Sequence, residues 1–179
     1  QMFRAALLLL FVATAVCSLD RLKASATPQE QVDAVIGLTQ RLFGNQIAGK
    51  FNYSIIPQSQ GKDVYEITTP EHDRVLIQGS SGVALASGLY EYMRYSCGLS
   101  VTWGDDGTGD NLDIPSPLPS VTGKKSVVAP VKWRYYMNVC TVSYSAVWWD
   151  WKRWEREIDW MALHGINLPL SFTGQEYVW

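Results

Sequence analysis

The sequence predicts an α/β protein in two parts: a small α+β domain over residues 24–110 and a strand–helix–strand unit over residues 133–179. A hydrophobic content of 47% with 18% charged residues is typical of a folded, core-forming chain. Helical and extended patterns follow one another in the first part in the order helix, three strands, helix, strand. Seven of the eight tryptophans lie in residues 133–179, which predicts an aromatic core or a surface on which a flat ligand such as a sugar ring stacks.

The N-terminus is typical of a secretory signal peptide, which we assign to residues 1–17. Arg4 precedes an uncharged, leucine-rich stretch over residues 5–16, and Cys17 closes a small-x-small cleavage pattern. As a helix this stretch is about 18 Å long, too short for a bilayer core of about 30 Å. We therefore expect entry into the secretory pathway and no membrane insertion after signal removal. An N-terminal anchor or a buried helix is the alternative.

The first domain begins with a helix. Thr27, the proline that follows it and Glu30 form a capping-box start. Apolar residues then recur at helical spacing until Gly44 and Asn45 end the pattern. Turn residues separate the elements that follow. These elements are strands over residues 51–56, 64–68 and 74–78, a helix over residues 83–95, and a fourth strand over residues 99–103.

Two connecting segments complete the first part. Residues 79–82, Gly-Ser-Ser-Gly, lie before a helix and predict a tight strand-to-helix turn; a phosphate or sulfate cradle is the alternative. Residues 111–132 are rich in Gly, Asp, Pro and Ser and predict a linker.

The second part reads as strand, helix and strand. A strand is expected over residues 134–140. A helix is then expected to begin after its cap Asp150 and to end at Gly165. A second strand, which contains Pro169, is expected over residues 166–172. The charged helix residues are expected on a solvated or interdomain face. Residues at helical spacing are expected to face the core: Trp151, Trp154, Ile158, Met161 and Ala162. This pattern alone fits an open parallel sheet and a (β/α)8 barrel equally.

Three segments resemble a known family. They are YYMNVCTVSYS at residues 135–145, VWWDWKRWEREIDWMALHGINLPL at residues 147–170 and TGQE at residues 173–176. They resemble the lysosomal alpha-N-acetylglucosaminidases, glycoside hydrolase family 89, near-continuously over residues 134–179 and more loosely over residues 28–130. The resemblance implies that residues 133–179 begin a truncated (β/α)8 barrel and that the chain is an N-terminal fragment.

The resemblance also implies an activity. Family members of this kind remove terminal alpha-linked N-acetylglucosamine from heparan sulfate by a retaining mechanism with two glutamates on later barrel strands. A glycosaminoglycan oligosaccharide is the expected substrate and no cofactor is implied. The expected catalytic pair lies outside this chain, so the fragment alone is expected to be inactive, and the expected location is the lysosome, with secretion as the alternative.

Candidate site residues lie where barrel strands end, since the working residues of such barrels sit at the C-terminal ends of the strands. The resemblance implies that Asn138 and Cys140 contact the terminal sugar; ordinary strand packing is the alternative. Tyr144, Trp148 and Trp149 are candidates for a stacking surface at the pocket rim; an aromatic collar between the two parts is the alternative for all three. Glu176 is expected to shape the loop at the pocket rim as a hydrogen-bond partner; a role as general acid or nucleophile is the alternative.

Other classes of site find little support. A net charge of −2 argues against nucleic acid as a partner. No Cys/His cluster has metal-ligand spacing, and a catalytic pair of Cys140 with either His72 or His164 is disfavoured by their places in the sequence. Asn52 begins a glycosylation sequon. A disulfide between Cys97 and Cys140 stays open.

Two other functions remain as alternatives. The aromatic residues suit a non-catalytic carbohydrate-binding protein, which requires a complete fold within 179 residues. An interaction protein from a truncated transcript is the other. The sequence leaves the oligomeric state open, including a homo-oligomer.

Overall fold

The computed structural model describes residues 25–71, 73–104, 109–140 and 144–170. The predicted signal peptide, His72 and Glu176 therefore lie outside the described residues. The described residues contain four helices, α1 (Pro28–Phe43), α2 (Asn45–Ala48), α3 (Gly82–Tyr95) and α4 (Trp151–Leu163). They also contain six strands, β1 (Phe51–Ile55), β2 (Val64–Glu71), β3 (Arg74–Gly79), β4 (Lys125–Val128), β5 (Tyr135–Tyr136) and β6 (Leu168–Pro169). None of the described helices has the length and apolar character needed to cross a membrane.

The first domain is a four-stranded sheet with the order β1-β3-β2-β4. Strand β3 pairs in parallel with β1 and antiparallel with β2, so the three strands expected from the sequence are confirmed. Helices α1 and α3 cover the sheet. Their apolar faces form one core with the inward side chains of the strands, among them Val35, Leu38, Ile67, Ile77 and Leu89.

The fourth strand is not the expected one. Residues 99–103 form no strand, and Ser100 makes a single bridge to Asn111. The apolar alternation there reflects burial, since Leu99 and Val101 point into the core and the backbone N–H of Val101 donates to the hydroxyl of Tyr90 at 3.3 Å.

The prediction of a linker over residues 111–132 is also wrong. Within it, β4 pairs antiparallel with β2 at the sheet edge. Leu118 lies buried in the core, and Ile114 and Val121 pack against it. The sequence does not predict this strand or this core packing, because the apolar residues of the segment lie between prolines and glycines without a regular period. The segment completes the first domain.

The turn over residues 79–82 is filled by the protein's own side chains. Ser80 and Ser81 donate their hydroxyls to Oδ1 of Asp63 at 3.0 and 3.1 Å. The backbone N–H of Gly82 donates to Oε1 of Gln31 at 2.9 Å. A carboxylate therefore lies where an anion cradle needs open N–H groups, and the interpretation as a strand-to-helix turn is confirmed.

Gly79 ends β3 directly beneath the first turn of α3. A Cβ atom at this position would lie 2.7 Å from the backbone nitrogen of Leu85 and 3.0 Å from the carbonyl carbon of Ala84. Because backbone cannot rotate away, we expect Gly79→Ala to lower the free energy of unfolding by about 1–3 kcal/mol. Gly49→Ala is the control, since its Cβ would meet ordinary contacts at 3.5 Å or more. Urea unfolding of both variants tests this; equal midpoints would contradict it.

Strands β5 and β6 pair in parallel, with Tyr135 opposite Leu168 and Tyr136 opposite Pro169. The backbone N–H groups of Leu168 and Leu170 donate to Arg134 and Tyr136 carbonyls at 3.1 and 2.9 Å. Pro169 lies between these two donor residues, so its missing N–H group removes no hydrogen bond from this ladder. Both strands are shorter than expected, and β5 ends where Met137 takes a φ of 74°.

Helix α4 begins and ends as expected. The side chain of Asp150 accepts from the N–H of Arg153 at 2.9 Å. At the C-terminus the N–H groups of Gly165 and Ile166 bond to the carbonyls of Ala162 and Met161, which is a Schellman motif with glycine at a φ of 75°.

The faces of α4 differ from the expectation. Trp154 and Met161 are buried as expected, but Trp151 is 50% exposed. Three charged residues expected on the outside, Arg153, Glu157 and Asp159, are buried. Helix α4 packs against α3 of the first domain, and Leu163 enters the first domain's core. The three buried charged side chains are covered by Trp103, Tyr136 and Arg41. The charged side of α4 is therefore an interdomain face, the second of the two alternatives that the sequence predicts for it.

Candidate functional site

Asn138 and Cys140 lie two and four residues beyond Tyr136, the C-terminal end of β5, and Cys140 lies in a turn. Both side chains are exposed, and Oδ1 of Asn138 accepts the N–H of Cys140 at 2.9 Å. The expectation that Cys140 ends a buried strand is wrong, because the chain leaves β5 at Met137. Contact with a sugar remains a prediction for both residues.

The three candidate aromatic residues separate into two groups. Tyr144 and Trp148 are 79% and 92% exposed, so this chain covers little of either ring. Trp149 instead packs edge-on against Trp154, with ring centroids 4.9 Å apart, and lies 6.5 Å from Trp103 of the first domain. Trp149 thus belongs to the aromatic collar, and Tyr144 and Trp148 remain candidates for the rim.

A buried ion pair lies behind these residues on α4. Both terminal nitrogens of Arg153 contact Oε2 of Glu157 at 3.1 Å, and the hydroxyl of Tyr136 donates to Oε1 of Glu157 at 2.9 Å. Burial, followed by the nearby Glu157 carboxylate, raises the pKa of Tyr136 to about 12. The phenol therefore stays protonated and donates across the physiological pH range.

Arg153 also lies between two aromatic rings. Its guanidinium carbon is 3.8 Å from the ring centre of Trp149 and 5.6 Å from that of Trp103. Its Nη2 atom donates to the carbonyl oxygen of Trp103 at 2.5 Å. One side chain thus contacts the first domain, the collar and the carboxylate of Glu157. The sequence analysis does not predict this role of Arg153. The pattern that could have indicated it is an Arg–Glu pair at i,i+4 spacing among tryptophans.

Two further ion pairs join α4 to the first domain. Arg156 contacts Asp110 at 2.5 Å and the carbonyl of Thr102 at 2.9 Å. Asp159 accepts two hydrogen bonds from Arg41 at 2.6 and 2.8 Å, and this bonding raises the pKa of Arg41. The four charged side chains of these two ion pairs line a groove of about 610 Å³.

Arg134 makes a third connection, at the start of β5. Its guanidinium pairs with Asp63 of the first domain and donates to the carbonyl of Gly165 after α4. Asp63 in turn accepts from Ser80 and Ser81. The N-termini of α3 and β5 and the end of α4 thus share one buried cluster.

His164 lies at the interface as well. Its ring stacks on Trp160 with centroids 4.1 Å apart, and its Nδ1 atom is 2.8 Å from the Trp160 carbonyl oxygen. Burial lowers the pKa of His164, the Trp160 carbonyl opposes this, and the charge of Arg94 adds to it.

The lowered pKa predicts a pH dependence of stability. The unfolded chain binds the proton more readily than the folded chain, so the stabilisation is complete above about pH 6.5 and is lost as the pH falls toward the folded pKa. We expect His164→Phe, which keeps a ring on Trp160, to flatten the fall in unfolding free energy between pH 7 and pH 5. Urea unfolding at both pH values measures it, and an unchanged slope would contradict the assignment.

The remaining sequence candidates are located as follows. Cys97 and Cys140 are free thiols, and burial raises the pKa of Cys97. Asn52 is exposed on β1, an edge strand of the sheet, and its glycosylation stays a prediction. Within the described residues no group of three or more His, Cys, Asp or Glu side chains is arranged to hold a metal ion.

Comparison with known proteins identifies both parts. The family model for the alpha-N-acetylglucosaminidase N-terminal domain matches residues 33–120, and that for the tim-barrel domain of the same family matches residues 134–179. The chain belongs to the alpha-N-acetylglucosaminidase family. The match of residues 134–179 confirms that these residues begin a (β/α)8 barrel, as predicted, and not an open parallel sheet.

A curated relative supports the same family assignment. Human alpha-N-acetylglucosaminidase is 46% identical over 159 residues, which cover 87% of this chain and 21% of that protein. The chain thus spans about a fifth of the length of this curated relative.

A family 89 glycoside hydrolase from Clostridium perfringens is the structural counterpart. Its complex with 2-acetamido-1,2-dideoxynojirmycin is 35% identical with a TM-score of 0.77, and the match covers 83% of this chain and 16% of that one. A form of that hydrolase with two Glu-to-Gln substitutions, in complex with its substrate GlcNAc-alpha-1,4-galactose, is 36% identical with a TM-score of 0.75. This match covers 82% of this chain and 16% of that one.

Proposed function

We propose that the chain is the N-terminal part of a retaining glycoside hydrolase that removes terminal alpha-linked N-acetylglucosamine from heparan sulfate. The observation that carries the proposal is the position of Asn138 and Cys140, directly after the first strand of a family barrel. In such barrels the residues that bind and transform the substrate follow the C-terminal ends of the strands. The sugar named in the substrate complex of the bacterial relative has the same terminal residue.

The chain's contribution to this reaction is binding and orientation. Asn138 carries an amide, a group that both donates to and accepts from sugar hydroxyls or an acetamido group. Cys140 offers a small, polarisable side chain suited to an acetyl methyl. Tyr144 and Trp148 present exposed rings of the kind on which a sugar stacks.

The reaction itself needs two carboxyl groups about 5–5.5 Å apart. Two carboxylates of the barrel part are engaged elsewhere: Asp150 caps α4 and Glu157 pairs with Arg153. We therefore assign the catalytic pair to two glutamates beyond this chain, in keeping with the two Glu-to-Gln substitutions of the bacterial relative's substrate complex.

The proposal extends to the compartment. We place the protein in the secretory pathway and then in the lysosome, with secretion as the alternative. The exposed side chain of Asn52 on an edge strand is a suitable glycan acceptor.

The chain by itself is expected to be inactive. Purified residues 18–179 should give no hydrolysis of an aryl alpha-N-acetylglucosaminide above the buffer rate, because the proposed carboxyl pair is absent. The bacterial hydrolase serves as the positive control. Turnover by the purified chain would contradict the assignment of both glutamates beyond it.

A chimaera tests the function directly. Residues 25–170 replace the corresponding segment of human alpha-N-acetylglucosaminidase, to which the chain is 46% identical. We expect the chimaera to hydrolyse the aryl substrate with a kcat/KM within about tenfold of the human protein. A chimaera that folds and is inactive would overturn the proposal. Binding of N-acetylglucosamine by the chain alone would then favour the non-catalytic carbohydrate-binding alternative.

A further inference from the structure

Residues 137–140 and 144–148, named here together the binding loop, carry all the described candidates for sugar contact. Asn138 and Cys140 lie in its first part, and Tyr144 and Trp148 lie in its second part. Within this chain most of its described side chains are exposed, among them Val139 at 72%. The contacts that this chain supplies to the loop are therefore concentrated at the two ends of the loop.

The start of the loop is fixed from α4. Tyr136 donates to Oε1 of Glu157, whose side chain is fully buried, and its ring packs against Trp160 with centroids 5.4 Å apart. Met137 follows with a φ of 74°, a conformation that is unfavourable for a side chain other than glycine and persists only when the surroundings impose it. Met137 is itself buried against Ala146 and Trp154.

The end of the loop is fixed from the same helix turn. The guanidinium of Arg153 lies 3.8 Å from the ring centre of Trp149. Its Nη2 atom is bonded to the carbonyl of Trp103, so the first domain holds the arginine in place. Arg153 and Glu157 are joined to each other, so one ion pair contacts the residues that flank the loop at both ends.

Stability alone does not explain why the buried pair of Arg153 and Glu157 is charged. Removing two charges from water costs about as much as their attraction returns, and packed apolar residues often replace such a pair without loss. An apolar pair, however, offers Tyr136 no acceptor and the Trp103 carbonyl no donor. The retained polar geometry is what ties the loop ends to each other and to the first domain.

We propose that Arg153 and Glu157 are positioning residues that fix both ends of the binding loop and so orient Asn138 and Cys140 toward the sugar. This inference rests on the proposed function for the sugar, while the fixing of the loop is independent of it. The first domain thereby takes part in substrate recognition without touching substrate, through Trp103 and Arg153.

Three single substitutions test the proposal. Tyr136→Phe removes one hydroxyl at the loop start and keeps the ring, and Arg153→Lys keeps the charge and removes the planar stack on Trp149. Tyr92→Phe is the matched control, because it too removes one tyrosine hydroxyl with a bond, that to the Pro119 carbonyl at 2.7 Å in the first domain.

The first readout is independent of activity. Hydrogen exchange of the whole chain is followed in peptides that cover residues 137–140 and 144–149. We expect the exchange rates there to rise about tenfold in Tyr136→Phe and Arg153→Lys, as the loss of one net hydrogen bond implies. Tyr92→Phe should leave these peptides unchanged and accelerate exchange near Pro119.

The second readout is the kinetics of the same variants in the chimaera. We expect KM for the aryl substrate to rise about tenfold in Tyr136→Phe and Arg153→Lys with kcat changed less than about threefold, and both to stay unchanged in Tyr92→Phe. Unchanged loop exchange, or faster exchange with an unchanged KM in an active chimaera, would overturn the positioning role. An inactive parent chimaera with faster loop exchange would overturn the proposed function and support the fixing of the loop.

Discussion

Replacing Arg134 with leucine is expected to lower the free energy of unfolding by about 3–5 kcal/mol. The side chains of Arg134 and Asp63 are only 17% and 10% exposed, and leucine leaves the Asp63 carboxylate without its cation. The same change removes the donors to the carbonyls of Gly165, Val131 and Lys132. Because these groups lie at the junction of both parts of the chain, we expect the two parts to lose cooperativity as well.

Urea unfolding of the chimaera, followed by tryptophan fluorescence, measures this effect. Lys124→Leu is the control, because it removes an ion pair with Glu66 in which Lys124 is 55% exposed; its cost should be at most about 1 kcal/mol. A double variant with Asp63→Asn should show that the two residues couple. Equal costs for Arg134→Leu and Lys124→Leu would refute the anchoring role.

Asn138→Ala is expected to reduce kcat/KM of the chimaera for the aryl substrate by about ten- to a hundredfold. The reason is that a sugar hydroxyl or acetamido group loses its hydrogen-bond partner, which costs about 1–3 kcal/mol. Cys140→Ser, which nearly conserves shape, should have a smaller effect.

The control for this prediction is the residue between the two candidates. Val139 is 72% exposed and has no proposed contact, so Val139→Ala should leave kcat/KM within about twofold of the parent. Steady-state kinetics of all three variants provides the comparison. An Asn138→Ala enzyme with parental kcat/KM would remove Asn138 from the site.

Local signals in the sequence were sufficient for most of the secondary structure. The capping box at Thr27 and Glu30 is present in the structure, with bonds of 2.6 and 3.2 Å. Gly165 ends α4 through a backbone conformation that favours glycine. Such features depend on neighbours within four residues, and sequence spacing reports them directly.

Features that depend on distant partners were missed. Strand β4 is four residues long and depends on its pairing with β2 about 60 positions away. The burial of Arg153, Glu157 and Asp159 depends on Trp103, Tyr136 and Arg41, which the periodicity of α4 cannot reveal. The helix charges look solvated in sequence because burial of a charge becomes favourable only once its partner is in place.

The sequence predicts Asn138 and Cys140 at the end of the first barrel strand, whereas the structure places both of them after that strand. Trp149 joins the collar, one of the two roles that the sequence predicts for it. The turn at Met137, which exposes both candidates, has no sequence signal because methionine rarely takes a positive φ.

The most direct test of the account is a crystal structure of the chimaera with 2-acetamido-1,2-dideoxynojirmycin, the ligand of the bacterial relative's complex. The account predicts the ligand's ring beyond the C-terminal end of β5, with the amide of Asn138 within hydrogen-bond distance and Cys140 in van der Waals contact. It also predicts that Tyr136, Glu157 and Arg153 keep the contacts described above. A ligand bound elsewhere, with Asn138 and Cys140 facing solvent, would contradict the account.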